Sequence, residues 1–152
     1  MQLSLQEISD RMRINDLLID YATTVDNKNF DVWDEIFTPD AFIDYTSMGG
    51  PKGSMPEVRL WMKKAMPAFP MSQHLIGNSR VHLQGDTARV RTICYNPMYL
   101  PDGKNGHQLS IFGLWYNDRL VRTPSGWRIT ERIEEHSYSF NVPEGFEPDS
   151  TD

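Results

Sequence analysis

The spacing of the apolar residues changes abruptly halfway along the chain. From Met71 onward the period is two, which is typical of strands with one buried face, whereas the earlier apolar residues recur at helical steps of three and four. Turn-forming residues interrupt the second half at 84–87, 101–106 and 123–126. The pattern therefore predicts an antiparallel meander of four long strands at 72–83, 87–99, 107–122 and 127–140.

Two capping boxes mark the beginnings of helices in the first half. Each is a serine followed three residues later by a glutamate, Ser4 with Glu7 and Ser54 with Glu57. Apolar periodicity and turn-forming residues give the remaining boundaries. The predicted elements are a long helix from the first box to about 26–29, a short helix over 30–37 stopped by 38–40, a short strand over 41–46, and a helix over 55–66.

Helices followed by long antiparallel strands indicate an α+β domain. We expect three N-terminal helices to cover one face of a strongly curved, mostly antiparallel sheet, which gives a cone-shaped barrel with an internal pocket. Gly77 and Gly113 interrupt strand-like segments and are the expected bend positions. We place the domain at 1–141 and expect the acidic, proline-bearing residues 142–152 to form a loosely ordered tail.

The charge balance limits the classes of partner. With 15 Lys and Arg against 21 Asp and Glu, the net charge is −6, which argues against nucleic acid and anionic membranes. The N-terminal segment has acidic residues where a signal peptide needs an apolar run, and no stretch approaches a membrane span. The single cysteine, Cys94, cannot form an intramolecular disulfide and is expected to be a buried thiol. These features favour the cytoplasm.

The sequence offers no motif for a metal or a cofactor, and we expect neither. Its four histidines lack the spacing of zinc ligands, and Glu134 and His136, two residues apart, form a cluster expected by chance in a charged strand. Nucleophile-elbow, P-loop and dinucleotide-binding patterns are missing from the sequence. The glycine-rich residues 49–53 are expected to form a mobile loop over the pocket mouth.

Three polar residues are candidates for chemistry in the pocket. Asp26 lies at the C-terminal end of a helix, where the helix dipole disfavours a carboxylate, so it needs a donating partner or is simply a turn residue in water. Tyr21 lies on or near the core-facing stripe and is either a packing residue or a phenol in the same cavity. His74 is either a core histidine or, if a buried carboxylate holds one ring nitrogen, a base.

Four segments together resemble the SnoaL-like branch of the nuclear-transport-factor-2-like superfamily, particularly its scytalone dehydratase-like group. They are YATTVDNKNFDVWDEIFTPDAFIDY, QHLIGN, QGDTARV and LWYNDRLVRTPSGWRITER, and the resemblance covers residues 5–140. Members of this group eliminate water or HCl without a cofactor, using an Asp and His pair. The resemblance therefore implies a cofactor-independent lyase.

The resemblance also implies roles for individual residues. His74 would be the general base, and Asp26 would orient it and stabilise the imidazolium. Tyr45, or less directly Tyr21, would donate a hydrogen bond to the developing enolate oxygen or to the leaving group. His107 aligns loosely with a further pocket histidine of the group.

The aromatic and methionine content suits a small, apolar, ring-containing substrate, with Trp61, Met62 and Phe42 as expected contacts. Two alternatives remain: an isomerase or polyketide cyclase that uses the same base, and a non-catalytic ligand-binding or assembly domain. The resemblance further implies a homo-oligomer, a homotrimer ahead of a dimer, in which the exposed sheet face is covered by a partner.

Overall fold

A long N-terminal helix and a meander of long strands frame the molecule in a computed structural model that describes residues 2–146. Two α-helices, three short 3₁₀ segments and six strands lie within these residues. In order they are α1 (Leu5–Asp26), a 3₁₀ helix (Phe30–Glu35), β1 (Phe37–Asp44), 3₁₀ residues Thr46–Met48, β2 (Lys52–Ser54), α2 (Met55–Ala65), 3₁₀ residues Met66–Ala68, β3 (Leu75–Gln84), β4 (Thr87–Pro101), β5 (His107–Thr123) and β6 (Gly126–Phe140).

Both predicted capping boxes begin a helix. The backbone N–H of Glu7 donates to Ser4 Oγ at 3.1 Å, and the Ser4 backbone N–H donates to Glu7 Oε2 at 2.7 Å. Ser54 and Glu57 make the reciprocal contacts at the start of α2. Each box satisfies backbone donors that the first helical turn leaves unpaired. The predicted starts of both helices are confirmed.

The segment after α1 differs from the expected short α-helix. It forms a 3₁₀ helix, in which Trp33 is completely buried and its Nε1–H donates to Thr24 Oγ1 at 3.0 Å. Pro39, expected to stop a helix, instead lies inside β1, between the positions where the register of β1 and β6 shifts. A proline without a backbone donor is tolerated where a strand is locally unpaired. The strand therefore begins at Phe37, four residues before the expected start at position 41.

The six strands form one curved sheet in the order β2-β1-β6-β5-β4-β3. All neighbouring pairs are antiparallel except β1 and β6, which run parallel. The pairing register shifts next to Gly77 and next to Gly113, as expected for bend positions. A Cβ atom at Gly113 would lie 2.1 Å from Cε1 of Tyr138, so the close approach of that ring requires glycine. The α+β architecture and the four long strands are confirmed.

A buried ion pair joins the last two strands beneath α1. Nε and Nη2 of Arg132 donate to the two carboxylate oxygens of Asp118, both at 2.7 Å, and both side chains are fully buried. The guanidinium carbon of Arg132 also lies 3.9 Å from the ring centroid of Tyr21 and 4.2 Å from that of Tyr116. Burial would lower the pKa of Arg132, but the charge and hydrogen bonds of Asp118 raise it well above its ordinary value. The guanidinium therefore stays charged.

The first residues of the expected tail pack against the domain. Phe146 lies with its ring centroid 5.5 Å from that of Phe112, and Val142 also packs against the core. Residues 147–152 lie outside the described part of the chain, so a loosely ordered tail stays an expectation for them. Among residues 2–146, no helix is long and apolar enough to cross a bilayer.

We expect Asp118→Asn to lower the free energy of unfolding by about 3–5 kcal/mol, because it leaves the buried charge of Arg132 without its counterion. The matched control is Glu131→Gln, which breaks a solvent-accessible pair with Arg119 on the same two strands and should cost about 0–1 kcal/mol. Urea unfolding of both variants measures the difference. Equal losses would contradict a structural role for the buried pair.

Candidate active site

A cavity of about 370 Å³ lies between the helices and the concave face of the sheet. This volume lies within the range of about 300–1,000 Å³ common for ligand pockets. Most of its wall is apolar. The lining residues are Tyr21, Val25, Tyr45, Met48, Gly49, Gly50, Trp61, Met62, Ala65, Met66, Ala68, Phe69, His74, Asn96, Met98, Leu100, Phe112, Leu114, Glu134 and Phe146.

Asp26 and His74 are in direct contact, although they lie on different elements. Asp26 is the last residue of α1, and His74 immediately precedes β3. His74 Nδ1 lies 2.6 Å from Asp26 Oδ1, and the backbone N–H of His74 donates to Oδ2 at 2.8 Å. Ser72 Oγ–H adds a donor to Oδ1 at 2.9 Å. The carboxylate therefore has the donating partners that its position at a helix C-terminus requires.

This contact defines which nitrogen of His74 is available. With Nδ1 held by Asp26, Nε2 has no hydrogen-bond partner among residues 2–146, and His74 lines the cavity with its side chain 7% exposed. Burial tends to raise the pKa of Asp26, but hydrogen bonds and charge from His74 and a hydrogen bond from Ser72 bring it below its ordinary value. An ionised carboxylate orients the ring, and the free nitrogen can accept a proton from a ligand.

Two tyrosines form a second polar group in the cavity wall. The hydroxyl oxygens of Tyr21 and Tyr45 lie 2.5 Å apart, and both side chains are buried. Burial raises the pKa of Tyr21 to about 12 and that of Tyr45 well above its ordinary value. Both phenols are therefore neutral near pH 7. In this pair, one hydroxyl donates its proton to the other, and the second hydroxyl can donate its own proton to a ligand oxygen.

Two of the three apolar residues expected to contact a substrate line the cavity, and the third does not. Trp61 and Met62, on α2, line the cavity. Phe42 does not, because Ala41 and Ile43 occupy the inner face of β1 and leave Phe42 on the outer face, 41% exposed. The prediction that Phe42 contacts a substrate in the cavity is therefore wrong.

His107 is also away from the cavity. It is the first residue of β5, is exposed, and pairs with Pro101 at the turn between β4 and β5. The loose alignment of His107 with a pocket histidine does not hold, because this part of the strand lies beyond the cavity wall.

The cavity wall carries no arginine or lysine within the described part of the chain. Arg132 points inward, but its guanidinium binds Asp118. Arg122 instead donates to Asp10 at 2.5 and 2.7 Å, outside the cavity. The described residues also contain no cluster of three or more His, Cys, Asp or Glu side chains arranged to hold a metal ion.

Glu134, on β6, is a cavity residue that sequence reasoning missed. It is partly accessible and lines the cavity, whose wall is mostly apolar. Burial, reinforced by the charge of Asp44 and opposed by that of Arg132, raises the pKa of Glu134 to about 8. Strict alternation from the buried Trp127 and Ile129 would place Glu134 outside. The register shift next to Leu120 reverses the faces.

Asn96 contributes a further polar atom. The residue is 6% exposed, its Nδ2 lies 3.7 Å from Met98 Sδ, and its Oδ1 has no hydrogen-bond partner among residues 2–146. A buried acceptor without a partner costs about 1–3 kcal/mol, which a ligand hydroxyl can offset by donating to it. Cys94 is a buried thiol, as expected, and burial raises its pKa to about 12. It is not a thiolate at neutral pH.

Comparison with known sequences identifies relatives along most of the chain. The sequence model of the SnoaL-like domain matches residues 6–133. An uncharacterized protein of Mycobacterium tuberculosis is 46% identical over 132 residues, which cover 87% of this chain and 88% of that protein.

Comparison with solved structures gives the same fold. A protein of Novosphingobium aromaticivorans, described as a candidate scytalone dehydratase, has a TM-score of 0.78 and 14% identity over 91% of this chain and 95% of that chain. Hexachlorocyclohexane dehydrochlorinase LinA-type3 of Novosphingobium barchaimii has a TM-score of 0.77 and 19% identity over 91% and 96%. At these identities the likeness shows the fold, which is the nuclear-transport-factor-2-like fold.

The raised pKa of Glu134 makes stability depend on pH. Between its ordinary value of 4.5 and about 8, the unfolded chain releases a proton that the folded chain keeps, so stability falls as the pH rises. Glu134→Gln removes this titration. Its free energy of unfolding relative to the wild type should therefore improve across that interval, measured by urea unfolding at several pH values.

The matched control is Glu135→Gln. Glu135 is the next residue on β6, it faces outward, and a hydrogen bond from Arg91 lowers its pKa. Its replacement should give no such gain with rising pH. A flat difference between Glu134→Gln and the wild type would show that Glu134 is ionised in the folded chain at neutral pH.

Proposed function

Since the chain belongs to the SnoaL-like domain family, we propose that it is a cofactor-independent lyase. It removes a proton from a small, apolar, cyclic substrate and eliminates water or another β-leaving group. Neighbours of the same fold that are described as a candidate dehydratase and a dehydrochlorinase support an enzyme of this kind. The contact between Asp26 and His74 at the cavity is the observation that carries the proposal.

His74 is the general base in this reaction. Its Nε2 takes the proton from a carbon acidified by a neighbouring carbonyl group, while Asp26 holds Nδ1–H at 2.6 Å and stabilises the imidazolium that forms. The backbone N–H of His74 and Ser72 Oγ–H bind the same carboxylate. These contacts limit the rotation of Asp26 and therefore the orientation of the base.

Tyr45, with Tyr21 behind it, polarises the substrate. The hydrogen bond between the phenols leaves one hydroxyl proton for the carbonyl oxygen, where negative charge develops as His74 removes the proton. Because both phenols stay neutral, they can donate without first losing a proton.

The lining favours a neutral ring compound. Methionine and aromatic side chains, including Met62, Trp61 and Phe112, provide broad apolar contacts. The lining residues described by the structure include no lysine or arginine to compensate a carboxylate or phosphate on the substrate. A volume of about 370 Å³ accommodates one or two fused rings.

We expect His74→Ala to abolish elimination, because it removes the base, and Asp26→Asn to lower kcat by about 10²–10⁴-fold, because the imidazolium loses its partner. Both variants should keep the fold and bind the same ligands. The assay uses β-hydroxy and β-halo cyclic ketones with excess chelator present, and circular dichroism checks the fold.

Three results would contradict this proposal. Turnover that survives His74→Ala would place the base elsewhere, and turnover lost to chelator would require a metal. Tight binding of the ketones without any product would favour a ligand-binding domain. Product analysis separates elimination from isomerisation and cyclisation, which begin with the same proton transfer.

The outer face of the sheet supports assembly into a homo-oligomer, a trimer ahead of a dimer. Leu75, Tyr95 and Tyr138 lie in register across neighbouring strands on this face, with exposures of 64%, 37% and 51%. A further set of exposed apolar side chains extends the patch: Tyr99, Leu109 and Phe140. Contiguous apolar surface of this kind is typical of a protein interface. A second copy of the chain is the occupant that we propose.

Light scattering at micromolar concentration should give a multiple of the 17.6 kDa chain mass. Tyr138→Glu should dissociate the oligomer, because it places a charge within the apolar face. Met12→Glu is the matched control, since Met12 is 64% exposed on α1, away from this face, and its replacement should leave the mass unchanged. A monomeric wild type would refute the proposal.

A further inference from the structure

Glu134 is a carboxyl group in the cavity wall to which the reaction above gives no role. Among the described lining residues it is the sole acid, and it shares the cavity with His74, Tyr21 and Tyr45. Its side chain makes no hydrogen bond to any of residues 2–146. A partly accessible carboxyl in a mostly apolar wall, without a partner among these residues, is open to hydrogen bonding with a ligand in the cavity.

The sheet places Glu134 beside the tyrosine pair. Asp44 and Ile133 are partners in the parallel pairing of β1 with β6. Tyr45 follows Asp44 directly after β1 ends, and Glu134 follows Ile133 on β6. Neighbouring strands lie about 4.8 Å apart. The charge of Glu134 also contributes to the raised pKa values of both phenols, as expected for groups at short range. One ligand atom can therefore meet Tyr45 and Glu134 together.

The surroundings keep this carboxyl group neutral. Burial and the nearby carboxylate of Asp44 outweigh the attraction of Arg132, whose guanidinium is occupied by Asp118, and the pKa of Glu134 rises to about 8. Near pH 7 the group therefore carries a proton. A protonated carboxyl has one O–H group, which can donate a hydrogen bond to a ligand in the cavity.

We propose that Glu134 is a second hydrogen-bond donor to the carbonyl oxygen of the substrate, acting beside Tyr45. This inference rests on the function proposed above. His74 Nε2 takes the α-proton, the C–H electron pair forms a C=C bond, and the carbonyl π electrons move to the oxygen. Tyr45 and Glu134 donate to that oxygen and keep their protons. When the electrons return, the β-carbon–oxygen bond breaks, and the leaving hydroxide takes the proton from His74 as water.

The inference narrows the substrate class to neutral β-substituted ketones. The developing negative charge lies on an oxygen that two neutral donors can stabilise, which is the arrangement that accelerates enolate formation. A substrate carboxylate at this position would carry its charge in the ground state, next to Asp44 and without a compensating cation among the described lining residues. If Glu134 lost its proton, its carboxylate would repel the negative charge that develops on the carbonyl oxygen of a ketone.

The test compares Glu134→Met and Glu134→Gln on the β-hydroxy and β-chloro derivatives of tetralone. Methionine fills the site without a donor, so kcat should fall by about 10²–10³-fold with both ketones. Glutamine keeps an N–H donor that does not ionise, so Glu134→Gln should lose less. The wild-type decline in kcat as the pH rises through about 8 should disappear in Glu134→Gln.

Glu135→Gln, the outward neighbour, is the activity control, and circular dichroism of each variant checks the fold. If Glu134→Gln loses as much as Glu134→Met with the hydroxy ketone, and neither loses with the chloro ketone, Glu134 protonates the leaving oxygen and the proposal is wrong. It is also wrong if neither variant changes kcat. In both cases His74→Ala would still abolish turnover, so the proposed function would stand. A wild type inactive on both ketones refutes the two proposals together.

Discussion

The buried pair of Arg132 and Asp118 connects the core of the sheet to the chemistry of the cavity. Two hydrogen bonds of 2.7 Å hold the guanidinium in one orientation, with the ring of Tyr21 3.9 Å from its central carbon. Tyr21 in turn places its hydroxyl 2.5 Å from that of Tyr45. The buried charge of Arg132, which is costly to desolvate, therefore supports the positions of the two cavity phenols. It also explains why an inward arginine contributes nothing to the cavity wall.

The surroundings of two carboxyl groups near the cavity shift their pKa values in opposite directions. Asp26 receives hydrogen bonds from His74 and Ser72, and its pKa is lowered despite partial burial. Glu134 receives none within the described chain, and its pKa rises to about 8. Environments that separate the protonation states of two carboxyl groups suit them to different roles, here the proposed roles of Asp26 as an anion beside His74 and of Glu134 as a neutral donor. The same chain thus supplies both kinds of group without a cationic residue in the described wall.

The sequence predicts the elements better than it predicts their faces. Capping boxes and turn residues predicted α1, α2 and the long strands because those signals are local in the sequence. Alternation separated Phe42 from Ile43 but could not say which of the two faced inward, since that depends on the helices packed against β1. Glu134 was missed for a related reason: the register shift in β6 reverses the alternation, and a shift of this kind leaves no distinct residue pattern. The prediction that Asp26 contacts His74 rested on a family resemblance and not on their spacing in the sequence.

The position of Asp26 is unfavourable for α1 alone. A carboxylate in the last turn opposes the helix dipole by about 0.3–1 kcal/mol, and the last turn of α1 contains no basic residue to offset it. The compensating donors come from residues 72–74, which precede β3 and are distant in sequence. Because these donors exist only when the strand is in place, the folded sheet stabilises the carboxylate that the helix disfavours. The contact between His74, the proposed base, and Asp26 is therefore formed by the tertiary structure and is absent from either segment alone.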